Sequence, residues 1–188
     1  AVMASQGAGG PKDEATAALY YKKSLQTWKK EADDGDAKAA LWAALVYERK
    51  LVPDSSPEKS VPYLLQAAES GNLTAQGLLA FKYRDGLGVP QDAAKAVEWF
   101  EKAASRKDLG AVMELGIMFR DGKYLPPDRE KAFHWFEKGA EWKDPYSMAA
   151  LADMLLEGTP SAEQAARALA LYREAAAVGY FPAALKAA

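Results

Sequence analysis

YRDGLGVPQDAAKAVEWFEKAA at residues 83–104 and FRDGKYLPPDREKAFHWFEKGA at residues 119–140 are one pattern written twice, 36 residues apart. Cutting the chain after Gly35 extends that period to four blocks without a gap: 36–71, 72–107, 108–143 and 144–179. Stacked, the eighth residue reads Ala43, Leu79, Leu115, Leu151, and the ninth is always small: Ala44, Ala80, Gly116, Ala152. Later columns hold Leu64, Phe100, Phe136, Tyr172 and then Ala68, Ala104, Ala140, Ala176. Equal spacing with no insertion predicts a stack in which each unit packs on its neighbours. Such arrays bind more often than they catalyse.

Each block reads as a helix–turn–helix. In block three, Ala111, Val112, Leu115, Gly116 and Phe119 follow the spacing of one buried helical face. Gly86, Gly122 and Gly158 stop the first helices, because glycine accepts the left-handed C-terminal conformation. Prolines follow, and then Asp92, Asp128 or Ser161 starts the second helix; Ser161 with Gln164 fits a capping box. The second helix of block two places Ala96, Val97, Phe100, Ala103 and Ala104 on one face. The prediction is therefore all-α, with eight antiparallel helices in four hairpins over 36–179. Residues 14–35 continue the helical pattern, with Leu25, Trp28 and Ala32 in register, as a capping helix, and residues 1–13 are expected to be flexible. Residues 180–188 open a fifth block and stop, as a short cap or the start of further chain, leaving Phe181 and Leu185 with little cover.

Composition narrows the function classes. Hydrophobic residues make up 49%, much of it alanine, which suits closely packed helices. With 24 basic and 26 acidic residues mixed along the chain, no basic cluster stands out, so nucleic-acid binding is not expected. The absence of cysteine excludes disulfides and thiolate metal sites without fixing a compartment. Apolar runs such as 41–47 are far too short to span a bilayer. Residues 1–12, small and Gly-rich, lack a cationic start and an apolar segment and look like a mature or trimmed N-terminus, which leaves an already removed export signal open.

The two quoted runs resemble the consensus of the Sel-one-like repeat (SLR) family, relatives of tetratricopeptide repeats with a slightly longer loop. The resemblance covers 36–179 and is looser in block four. Block one departs most: ERKLVPDSSPEK lacks the loop glycines, and Pro62 falls where the second helix should run, which predicts a late start or a kink there. The resemblance implies a right-handed α–α superhelix, a solenoid whose first helices line a concave surface, and a role as adaptor, scaffold or inhibitor of another protein. It also implies that a bacterial member is exported, periplasmic or secreted, with the cytoplasm as the alternative. A narrower implication is an immunity protein neutralising a secreted toxin.

Four signals suggest chemistry, and each has a structural reading. Ser56-Pro57-Glu58-Lys59 matches the S-x-x-K of penicillin-recognising serine enzymes, an alternative hydrolase reading, but no S-D-N or K-T-G accompanies it and Ser56 is a natural helix cap. Gly86-Leu87-Gly88 lacks the third glycine and the strand of a phosphate cradle. His134, the single histidine, sits in a non-core column without further ligands, so neither a metal nor a cofactor is expected. Asn72-Leu73-Thr74 is a formal glycosylation acceptor in a column that otherwise holds aspartate, as a helix start would.

One pattern points outward. On a wheel of about 100° per residue, the tenth position lies opposite the core and should be polar, yet it reads Leu45, Phe81, Ile117 and then Asp153. The sixth position on the same side reads Leu41, Gly77, Met113, Ala149. Flanking columns supply Glu48, Arg84 and Arg120, and Tyr146. An apolar stripe edged by arginine and tyrosine has the composition of a binding surface. The expected partner is a protein or peptide, with no catalytic residue. The alternative is that first helices are sandwiched and bury more than half their circumference.

Overall fold

A computed structural model of the protein describes residues 14–186; the stretch read above as flexible, 1–13, lies outside the described residues. Among the described residues there are ten α-helices and no strand: α1 (Glu14–Asp33), α2 (Ala37–Glu48), α3 (Pro57–Glu69), α4 (Leu73–Asp85), α5 (Ala93–Ala104), α6 (Leu109–Asp121), α7 (Arg129–Glu141), α8 (Pro145–Leu156), α9 (Ala162–Ala177) and α10 (Phe181–Lys186).

Caps explain why the helices start where they do. The first residue of every block accepts a backbone N–H from the opening turn: Asp36 from Ala39 at 3.0 Å, Asn72 from Ala75 at 3.1 Å, Asp108 from Ala111 at 2.9 Å and Asp144 from Ser147 at 2.8 Å. Those N–H bonds come first among the causes that hold the Asp36 carboxyl below its usual range. Asp92 and Asp128 cap second helices through Lys95 N and Lys131 N, both at 3.0 Å. Ser161 and Gln164 close the capping box reciprocally, at 2.8 and 3.1 Å. Asn72, the formal glycosylation acceptor, is thus a helix cap.

Block one keeps the common backbone despite its sequence. Lys50 occupies the column of Gly86 and Gly122 and adopts the same left-handed turn, at φ 51°. The late start expected from Pro62 does not occur. Helix α3 begins at Pro57, the register of α5 and α7, and runs through Pro62. Ser56 stands at the N-cap position without making the side-chain cap bond; its hydroxyl bonds the Glu58 carboxylate instead, and that bond is the main reason the Glu58 carboxyl lies below its usual range.

The chain divides into two compact units, one ending at Trp99 and the other beginning at Phe100, inside α5. In the first, α1 packs on α2, α2 on α3 and α3 on α4. The contact faces are small: Ala40, Ala43, Ala44, Ala67, Ala75 and Ala80 are fully buried around Leu64 and Leu79. In the second, α6 to α10 pack in sequence order around Val112, Leu115, Phe136, Met148, Leu151 and Tyr172. Here the ninth column shows its purpose. A Cβ on Gly116 would come within 2.4 Å of the Phe136 ring, so only glycine lets that ring lie against α6.

One charge is buried in the first unit. Lys82 is 3% exposed in a column whose other members, Val46, Met118 and Met154, are buried and apolar. Its Nζ meets Glu48 Oε1 at 2.6 Å and donates to the Leu87 carbonyl at 3.2 Å. The same Glu48 oxygen accepts the hydroxyl of Ser60, which stands where later blocks carry Ala96, Ala132 and Ala168. Gly88 lies beside this network, and a Cβ there would fall 2.6 Å from the Pro57 carbonyl carbon. The loop after α4 is thereby fastened to the start of α3.

Two outcomes test this packing. Phe136→Ala should cost about 3–5 kcal/mol in chemical denaturation, and a loss under about 1 kcal/mol would refute its role as core. In a double-mutant cycle, Lys82→Met and Glu48→Leu should each destabilise alone and recover together, with a coupling energy of about 1–3 kcal/mol.

Candidate functional site

The second unit holds a cleft of about 210 Å³ between α6, α8 and α10. Met113, Ile117 and Arg120 reach it from one face of α6, as their i, i+4, i+7 spacing requires. Helix α8 contributes Tyr146, Ala150 and Asp153 at the same spacing. Tyr180, Pro182 and Lys186 close the far side. Five of the ten residues expected at a binding surface thus share one cleft. Phe136, read from the sequence as core, is 1% exposed and lines its base.

Aromatic and charged groups divide the rim. Tyr146 is 54% exposed, and its ring centroid lies 4.7 Å from that of Tyr180, tilted by 57°. Asp153 Oδ1 receives Lys186 Nζ at 2.5 Å and also the Tyr172 hydroxyl. Burial first, and then the bond to Asp153, push the Tyr172 phenol well above its usual range, so it stays protonated and holds the carboxylate in place. The Arg120 guanidinium lies 5.7 Å from the Phe136 centroid, with Nε donating to Asp121 at 2.6 Å. That pair is exposed, and its net contribution to stability is small.

The remaining five expected residues lie in the first unit. Leu41, Leu45 and Phe81 are each half-buried. The Arg84 guanidinium stacks 4.8 Å from the Phe81 centroid and grips Asp85 with two bonds, at 2.9 and 2.8 Å. Glu48 is engaged internally by Lys82 and Ser60.

Sequence reasoning overlooked Tyr180, Pro182 and Lys186, which it took as the edge of an incomplete block. Tyr180 occupies the column of the helix caps, where an aromatic residue is out of pattern, and that was the available signal. In α10, Phe181 and Leu185 are 81% and 86% exposed while Ala183 is buried.

The enzymatic candidates hold other partners. Lys59 pairs with the Asp54 carboxylate and donates to the Asp54 carbonyl at 2.9 Å. His134 is exposed and meets Trp135 edge-on at 5.4 Å. Among the described residues no group of three or more histidine, cysteine or acidic side chains is placed to hold a metal, and no helix is long and apolar enough to cross a membrane.

Comparison with known proteins agrees with this architecture. Among curated proteins none matches the chain. Among solved structures, a protective antigen of uropathogenic Escherichia coli strains displaying an SLR fold is similar, at 30% identity and a TM-score of 0.69. The match covers 82% of this chain and 33% of the antigen, so the chain spans about a third of that protein's length. A Sel1 repeat protein from Oxalobacter formigenes is similar at 25% identity and a TM-score of 0.74, over 95% of this chain and 70% of that one. One from Klebsiella pneumoniae subsp. pneumoniae shares the fold at 19% identity and a TM-score of 0.53, over 98% and 94%. The Sel1 repeat model itself matches residues 1–26, 38–72, 74–108, 110–141 and 145–180. With all-helical hairpins in the register of that repeat over most of its length, the chain is an α-solenoid protein and belongs to the Sel1 repeat family.

Proposed function

We propose that the protein is a non-catalytic interaction module that binds a peptide segment of a protein partner through the exposed faces of its first helices. Sel1 repeat proteins generally mediate protein–protein interaction, and the cleft between α6, α8 and α10 supports a site for that role here. The supporting observation is the meeting of Met113, Ile117, Arg120, Tyr146 and Asp153 in one concavity. Its 210 Å³ is smaller than the usual small-molecule pocket of about 300–1,000 Å³, and its size suits one or two partner side chains. Tyr146 and Tyr180 offer rigid aromatic area, while Arg120 and the Asp153–Lys186 pair offer charges of both signs at the rim. On the first helices of the first unit, Leu41, Leu45, Phe81 and Arg84 occupy the corresponding columns of the repeat. Whether the partner is recruited or inhibited depends on which of its own surfaces enters the cleft.

With a partner captured from the native source and then purified, Ile117→Glu and Phe81→Glu should each weaken binding at least tenfold, about 1.4 kcal/mol, while leaving the melting temperature nearly unchanged. A carboxylate forced among packed helices would instead collapse the fold. That collapse would show these residues to be core and end the reading.

A further inference from the structure

The first unit carries a different concavity. A cleft of about 300 Å³ lies between α1 and the segment that follows α2. Leu25, Tyr47 and Val52, each buried to within 8% exposure, line its apolar floor, and Pro53 lines its side. Lys22 and Lys29 stand at its edge. The Lys29 ammonium lies 6.0 Å from the Tyr63 centroid, and interactions with Tyr63 and Tyr47 raise its pKa above the usual lysine value.

The charge here is unbalanced. Among the described residues, neither Lys22 nor Lys29 has a carboxylate at ion-pair distance, and the acid of the cleft, Asp54, is taken by Lys59. From residue 15 to residue 30 the chain has four lysines and no acid, although its net charge is −2. Other blocks differ at these columns. Where block-aligned Lys22 stands they carry Glu58, Ala94, Glu130 and Ala166, and where Lys29 stands they carry Leu65, Glu101, Glu137 and Arg173. In the second unit a comparable cleft is lined by Phe133, Leu155 and Arg167, but there Arg167 is paired with Glu137 at 2.6 Å. Of these two clefts, the first alone sets an apolar floor beneath cations that have no carboxylate partner.

We propose that the cleft between α1 and the segment after α2 is a second binding surface, which takes an acidic peptide segment of a protein partner. One large apolar side chain of that segment fills the space over Leu25, Tyr47 and Val52, and flanking carboxylates meet Lys22 and Lys29. A lipid headgroup layer would satisfy the lysines and leave the concavity empty. A nucleic acid backbone would gain nothing from the apolar floor. An acidic peptide uses both. The proposal stands whether or not the cleft of the second unit binds a partner.

The probe is a fluorescein-labelled peptide of glutamates around one tryptophan, titrated by anisotropy against the whole chain. Saturable binding is expected, weakening as salt rises from about 50 to 300 mM because the charges are exposed. Replacing the tryptophan by serine, or introducing Lys22→Glu with Lys29→Glu, should each weaken binding at least tenfold at an unchanged melting temperature; Lys22→Gln with Lys29→Gln serves if the charge reversal impairs folding. Ile117→Glu should have no effect, which separates this surface from the one above. Absence of peptide binding, indifference to the lysine variants, or tighter binding of phosphatidylglycerol vesicles or duplex DNA would overturn the proposal.

Discussion

The whole arrangement depends on how closely neighbouring helices can approach. An alanine-rich solenoid buries little area per side chain, so its cohesion comes from many short contacts and a few large residues set into them. The Phe136 ring against Gly116 is the clearest case, since one methyl group at residue 116 would occupy the space of the ring. Because the backbone there is fixed by packing, the residues on the opposite side of α6 are fixed as well. Met113, Ile117 and Arg120 point into the cleft because Val112, Leu115 and Gly116 are held in the core. The tightness of the interior thus sets the precision of the surface.

Much of this was readable in the chain. Periodicity placed the helices, and the capping residues placed their starts, since both follow from backbone hydrogen bonding within a few residues. The departures arose where tertiary packing outweighed local preference. Lys50 takes a left-handed turn that its side chain disfavours, because the turn must close the hairpin. Pro62 lies within α3 without delaying its start, because buried Ser60, Leu64, Ala67 and Ala68 anchor the helix on either side of it. Ser56 occupies a cap position yet bonds Glu58. The first two are set by packing, and the third by a competing bond two residues along the chain.

The surface residues divide in the same way. A wheel projection identified which side chains leave the core, and five of them meet in one cleft. It could not say which charges were already engaged. Glu48 reads as a rim acid from its column, yet it is the partner of the buried Lys82, and only the three-dimensional neighbourhood of Lys82 reveals that. Likewise Tyr180 and Lys186 join the cleft through the packing of α10 on α9 and the reach of Lys186 to Asp153, which no single-block pattern contains.

Lys82, Glu48 and Ser60 also bear on how such a chain can evolve. Repeat proteins lengthen and shorten by duplicating or deleting units, which presumes that any unit can stand beside any other. Here the first and second hairpins are mated through a buried ammonium, in a column whose other members are apolar. A copy of block two inserted after block three would bring a buried ammonium to a place where the partner is Arg120 rather than a glutamate. A deletion of block one would strand the same ammonium without its carboxylate. Such rearrangements carry the penalty of an uncompensated interior charge. The first two hairpins therefore share a buried-charge constraint that blocks three and four do not carry.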